Sequence, residues 1–492
     1  MSLTDNSPAT DSSPPTRAES PPSSASAPRP TGRTWQPLIR RLHFYAGILV
    51  APFLLVAAIS GGLYAIAPTV EQVVYRDQLH TDSVGNPAPV ADQVRAAMAV
   101  RPDLALSAVR PAAEPGDTTR VLFTDPSLGE SERLAVFIDP VTLASRGELV
   151  SYGSSAALPM RTWLSNLHRN LHLGEPGRLY SELAASWLWV IALGGLILWV
   201  SQYRKRRDAP TARLFAPERG RSGRSRLLNQ HGVIGIWLVA GLVFLSATGL
   251  TWSKYAGENV SELRSALSWT TPSVNTALTG DAIPAGGDHA DHSGHQGHDP
   301  AATPAPQTAL DGLDAALSTA AGAGVGGDVE ATVPTKAGTA ITVTQTRQPW
   351  QFSPDAVSID PTNGRVVDES RFADWPLAAQ LTNWGIALHM GILFGLANQI
   401  ALLLLSIALV ILIVRGYQMW WHRRPQTAGP RAVGAPPVRG TLRRLGAARC
   451  TALAVIALAV GWFVPLLGIS LLAFLVLDVI IGVTRRRASA TS

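Results

Sequence analysis

The sequence predicts an α-helical polytopic membrane protein with four main spans, a C-terminal two-helix hairpin and two exported α+β units. Three observations carry this. Four apolar runs, Phe44 to Ala67, Leu183 to Val200, Gly232 to Leu250 and Leu388 to Val414, are each long enough to cross a hydrocarbon core of about 30 Å as a helix. Clusters of arginine mark one end of each run. Between the runs lie two long segments, each large enough for a small domain.

Taken in order, residues 1–39 are rich in Ser, Pro, Ala and Thr, too polar to pack, and are expected to be a disordered tail. No short apolar core with a small-residue cleavage site precedes the first span, residues 40–67, which is therefore expected to be an uncleaved anchor. The first exported unit takes residues 68–160, an interfacial helix 161–182 and the second span 183–203. A basic loop, 204–228, leads to the third span, 229–251. The second exported unit takes 252–383, the fourth span 384–414 and a second basic loop 415–450. The last apolar stretch, Thr451 to Val483, exceeds one span, carries Pro465 near its middle and has arginines at both ends, so it reads as a hairpin, followed by a tail, 484–492.

The flanks orient these spans. Arg40 and Arg41, Arg204 to Arg207, Arg224 and Arg226, and Arg415, Arg423 and Arg424 fall on one side, which the positive-inside rule makes cytoplasmic. The expectation is a cytoplasmic (inner) membrane protein, multi-pass, with both termini cytoplasmic. Lys plus Arg number 41 against 35 for Asp plus Glu, an excess explained by these clusters rather than by a nucleic-acid surface; no nucleic-acid motif is present. The single cysteine, Cys450, lies at the cytoplasmic start of the hairpin, so neither exported unit is expected to contain a disulfide.

The exported segments repeat each other. Val136-Phe137-Ile138-Asp139-Pro140 and Val357-Ser358-Ile359-Asp360-Pro361 each read as a strand entering an Asp-Pro turn, with Gly147 and Gly364 ahead of a second strand. Helix-like stretches, Val90 to Val100 and Ala309 to Ala321, lie upstream. The chain reads as a duplication of span, exported unit, span.

Four histidines stand at the ends of the apolar runs. His43 and His231 share the inner depth, and His168 and His389 the outer. Imidazoles on facing helices supply both axial ligands of a low-spin haem, and ionisable groups at membrane depth are costly unless used. A lone histidine there is commonly an interfacial cap; two same-depth pairs read as two haem sites. Ala46, Gly47, Gly232 and Gly235 offer room for a flat macrocycle. On a helix from Trp163 to Leu173, with Leu164, Leu167 and Leu171 as its apolar stripe, His168 falls nearer the stripe's centre than His172, which is the second choice.

The run from Leu167 to Arg178, the segment Leu388 to Gly395, the Met419 to Pro425 exit and the two Ile-Asp-Pro turns resemble the PepSY-associated transmembrane family, also called iron-regulated membrane proteins. The likeness runs from about Arg40 to Arg487. It implies PepSY-like exported units and, since some members are ferric-siderophore reductases carrying b-type haem, an electron-transfer role in iron uptake.

His289, His292, His295 and His298, interspersed with Asp288, Asp291 and Asp299 in a Gly- and Ala-rich loop (288–299), form a candidate divalent-metal site, with a solubilising linker as the competing reading. Asp478 lies within the hairpin and is expected at the inner interface, with pairing to an arginine or a proton relay as the other readings. No Rossmann, Walker, flavin or Ser-His-Asp pattern is evident, so electrons are expected from quinol or a cytoplasmic flavoprotein, with ferric iron in a siderophore as acceptor. Two alternatives stand beside this: a non-enzymatic PepSY regulator that binds peptide or a peptidase, and a metal transporter.

Overall fold

The computed structural model describes residues 35–209, 213–278, 307–423 and 447–490. The first apolar run forms two helices, α1 (Gln36–Leu49) and α2 (Ala51–Val74), hinged at Val50 beside Pro52. Helix α2 runs through Pro68 and outlasts the expected span by a further turn and more. After α3 (Arg76–Leu79) and α4 (Val90–Val100), strands β1 (Ala105–Arg110), β2 (Thr119–Thr124), β3 (Glu132–Ile138) and β4 (Ser145–Tyr152) form a meander. Helix α5 (Pro159–Asn170) then returns the chain to the membrane, and α6 (Glu175–Arg204) and α7 (Gly223–Thr251) cross it.

The second half repeats the order: α8 (Tyr255–Ala266), α9 (Gln307–Asp311), α10 (Leu313–Gly322), then β5 (Val329–Thr332), β6 (Ile341–Gln345), β7 (Ala356–Ile359) and β8 (Val366–Ser370), then α11 (Leu377–His389) and α12 (Gly395–Trp421). The hairpin is α13 (Ala447–Phe463) and α14 (Pro465–Ala490), turning at Pro465 as expected. Helices α2, α6, α7 and α12 are long and apolar enough to cross a membrane. They close a four-helix ring in which α6 packs on α7 and α2, and α12 on α2 and α7. The protein is a multi-pass membrane protein.

The fourth span differs from expectation. The run Leu388 to Val414 is continuous in hydropathy, yet α11 stops at His389 and α12 starts at Gly395. Gly391 makes the break: its φ is +77°, and a Cβ there would lie 3.0 Å from the Ala65 carbonyl oxygen. His389 therefore ends a separate short helix instead of standing one turn inside the span. The interfacial helix is also shorter than expected, because Leu171 adopts φ +54° and caps α5, leaving Leu171 and His172 off the helix.

The two α+β units are one sheet. Its order is β4-β3-β2-β1-β5-β6-β7-β8, antiparallel throughout, and the halves join where Ala108 pairs with Thr332 and Val109 with Ala331. Alternation along the strands gives the sheet two apolar faces. One buries Val94, Val121, Val136, Leu313, Ile341 and Ile359 against α4 and α10 in a single core. Asp314 of α10 accepts hydrogen bonds from the backbone N–H groups of Val90 and Ala91, capping the start of α4 in the other half. The other face buries Ala108, Leu122, Ala135 and Phe137 against Leu79 and Leu158. Both Ile-Asp-Pro segments turn as expected: Asp139 accepts from the N–H of Val141, and Asp360 from that of Thr362.

The hairpin docks on the outside of the ring. Trp187 of α6 donates to Ser470 Oγ at 2.8 Å, and Arg41 of α1 pairs with Asp478 of α14. The arginine pairing is thus the one Asp478 takes.

Candidate functional site

Three of the four histidines come from helices outside the ring, His43 on α1, His168 on α5 and His389 on α11, while His231 lies on the ring helix α7. His43 on α1 donates from Nδ1 to the carbonyl oxygen of Ile191 on α6 at 3.0 Å. His231 on α7 donates to that of Leu412 on α12 at 3.1 Å. A carbonyl only accepts, so Nδ1 carries the proton and Nε2 offers its lone pair.

At the sheet side, His168 Nδ1 meets Ser60 Oγ of α2 at 3.0 Å, and His389 Nδ1 meets Thr248 Oγ1 of α7 at 2.6 Å. Each hydroxyl spends its proton on a carbonyl four residues back, Val56 or Phe244, at 2.8 Å, and so accepts from the imidazole. Ligating histidines are fixed in this manner, one nitrogen held by an outer partner and the other free for metal.

Each ring also lies against a glycine. A Cβ at Gly195 would stand 3.0 Å from His43 Cε1, and one at Gly61 3.0 Å from His168 Cε1. At Gly416 it would lie 3.7 Å from His231 Cε1, and at Gly249 4.0 Å from His389 Cε1. Each ring helix thus contributes one receiving glycine. The spacing repeats between the halves: His43 to Gly61 and His231 to Gly249 are each 18 positions, and His168 to Gly195 and His389 to Gly416 are each 27. Ser60 and Thr248 occupy equivalent positions in that repeat, as do Ile191 and Leu412. These glycines and acceptors were not singled out by hydropathy. The repeated intervals are the signal that finds them once the halves are aligned on their histidines.

The first pair fits a haem iron. The rings of His43 and His231 have centroids 6.2 Å apart and planes at 78°. An iron between them, with metal–nitrogen bonds of about 2 Å and one ring radius at either end, asks for about 6 Å. Both imidazoles line one open, largely apolar cleft of about 210 Å³. Gly47, Gly235, Gly416, Arg224 and Arg423 line it too. No heavy atom lies within 4 Å of a Cβ built on Gly47, whereas Gly232 is taken up by Trp199, whose ring such a Cβ would strike at 2.2 Å.

The second pair, His168 and His389, has neighbours of its own. Trp252 stands edge-on to His389 at 5.0 Å between centroids, and Ser181 Oγ of α6 donates to the backbone oxygen of His168 at 3.2 Å. His172 takes no part in the ring. It is exposed, with φ +55°, and packs on Trp163 at 4.9 Å. His80 pairs with Asp117 at 3.1 Å beside the sheet. Among the described residues no group of three or more His, Cys, Asp or Glu side chains forms a metal cluster. The stretch carrying His289, His292, His295 and His298 lies outside the described residues.

Above the histidines, the ring-facing side of the sheet carries buried charge. Glu330 of β5 accepts from Arg110 of β1 at 2.6 Å and from Arg133 of β3 at 2.8 Å, so one carboxylate ties strands of both halves. Burial would raise the Glu330 carboxyl, but the two guanidinium groups outweigh it and hold the pKa at about 2. Arg161 of α5 pairs with Glu71 of α2 at 2.9 Å, anchoring the helix that presents His168.

The family described as PepSY-associated TM region matches residues 40–423, a stretch that includes all four histidines and the whole sheet. An uncharacterized protein of Pseudomonas aeruginosa is 35% identical over 96 residues, which cover 19% of this chain and 21% of that protein's length.

Proposed function

The chain belongs to the PepSY-associated TM family, and from that premise we propose that it carries electrons across the cytoplasmic membrane through two b-type haems to an acceptor on the sheet side. His43 and His231 would hold one haem, and His168 and His389 the other. The observation that carries the reading is the common setting of the four imidazoles: Nδ1 engaged by a neighbouring helix, ring seated on a glycine, Nε2 left free.

When bound, haem supplies a one-electron ferric/ferrous couple. The chain's own residues do the rest. Contacts with the four ring helices fix each imidazole. Arg224 and Arg423 line the first cleft and offer cations to the carboxylates of a haem edge. The basic flanks of the ring helices support an orientation with the His43 end inside the cell and the sheet outside. An inner quinol or flavoprotein donor and an outer ferric chelate, such as a siderophore, complete the path. Reduction of the chelated iron to the ferrous state weakens its hold on hard oxygen ligands and releases it.

The test is a reduced-minus-oxidised absorption spectrum of the detergent-purified chain, with haem quantified per polypeptide. The expected result is a b-type spectrum near two haems per chain, with His43→Ala and His389→Ala each losing about one. A well-folded preparation without haem would overturn the reading and favour a peptide-binding role for the sheet.

A further inference from the structure

The two histidine pairs differ in what holds them. Both members of the first pair donate to backbone carbonyls, Ile191 and Leu412. Both members of the second donate to side-chain hydroxyls, Ser60 and Thr248. The difference follows the internal repeat: equivalent positions in the two halves carry the same kind of acceptor, so it separates the pairs and not the halves.

An amide carbonyl is the stronger acceptor. It draws the Nδ1 proton further from the ring, making the imidazole more basic at Nε2 and a better ligand for ferric than for ferrous iron. A hydroxyl is by type the weaker acceptor, although donation to Val56 or Phe244 sharpens it and Thr248 receives His389 at 2.6 Å, closer than either carbonyl contact. Hydrogen bonding beyond the ligands is one of the means by which a protein sets a haem potential. Arg224 and Arg423 beside the first pair pull the other way, an effect that the carboxylates of a bound haem would offset.

We propose that these acceptors grade the two sites, with the His43/His231 site at the lower reduction potential and the His168/His389 site at the higher, and that Ser60 and Thr248 are the positioning residues that set the upper value. The inference rests on the haem reading above and deepens it. The step favours electron movement from the arginine side to the sheet side before any acceptor binds.

The test is a spectroelectrochemical titration of the full-length chain, with the two midpoints assigned from His43→Ala and His389→Ala. The expected wild-type result is two resolved midpoints, the His168/His389 site higher. Thr248→Val and, separately, Ser60→Ala remove a hydroxyl acceptor and are expected to raise that midpoint further while leaving the other in place. Thr248→Ser is expected to restore it. Equal or inverted wild-type midpoints, or an unmoved upper midpoint in both hydroxyl variants at full haem content, would overturn the proposal and leave the haem reading standing. Absence of haem from the wild type would overturn both.

Discussion

His43 and Gly195 are fitted to one another across the α1–α6 contact. The imidazole donates to the carbonyl of Ile191, and the ring occupies the place a side chain at the next turn of α6 would need, 3.0 Å from its Cε1. Gly195→Val is therefore expected to displace His43 and lower haem content from about two to about one per chain, as His43→Ala does. Gly47 gives the complementary case: a Cβ there meets no heavy atom of the protein within 4 Å, but it lines the cleft. Gly47→Leu is expected to keep the melting temperature within a few degrees and still exclude haem from that site, read by haem quantitation beside a thermal melt.

The two neighbouring histidines of the α5 segment are expected to separate cleanly. His168→Ala should remove about one haem per chain. His172→Ala, at an exposed residue that packs on Trp163, should leave the spectrum and the haem content unchanged.

The Arg41–Asp478 pair ties the hairpin to the helix that carries His43, with side chains 10% and 23% exposed. Its worth should lie between the roughly 1 kcal/mol of a surface pair and the 3–5 kcal/mol or so lost when a buried pair is broken. Asp478→Ala is expected to lower the melting temperature in detergent, and the exchange Arg41→Asp with Asp478→Arg to recover part of the loss. A melt unchanged by Asp478→Ala would show that the hairpin is held by its apolar contacts alone.

Glu330 gives the sheet an acid limit. Its folded pKa of about 2 lies below the usual 4.5. Stability from the Arg110–Glu330–Arg133 group is therefore fully present above about pH 4.5 and is lost as pH falls towards 2, where the folded state must also take up the proton. Glu330→Gln is expected to melt lower at neutral pH and to show a smaller acid-dependent fall between pH 4.5 and 2. Parallel profiles for the two proteins would refute this role.

The spans and the four histidines were legible because hydropathy and residue type report them directly. What escaped was conformational. The run from Leu388 to Val414 is apolar without interruption, so nothing in its composition marks the break that Gly391 makes through its left-handed backbone. The joining of the two α+β units depends on a short pairing, Ala108 with Thr332 and Val109 with Ala331, between segments more than two hundred residues apart. Alternation of side chains identifies a strand but not its partner. The receiving glycines were hidden for a related reason: a glycine in an apolar helix has many uses, and Gly232, which looks like room for a macrocycle, is filled by Trp199.

Each half of the chain supplies one histidine to each pair: His43 and His168 from the first, His231 and His389 from the second. A polypeptide of half this length could not complete either pair alone. It could complete both by meeting a second copy of itself about a twofold axis, with an isologous contact in which every histidine faces its own counterpart. Fusion of two such copies would convert a concentration-dependent assembly into a unimolecular one, and would free the two halves to diverge while the geometry at the axis stayed fixed.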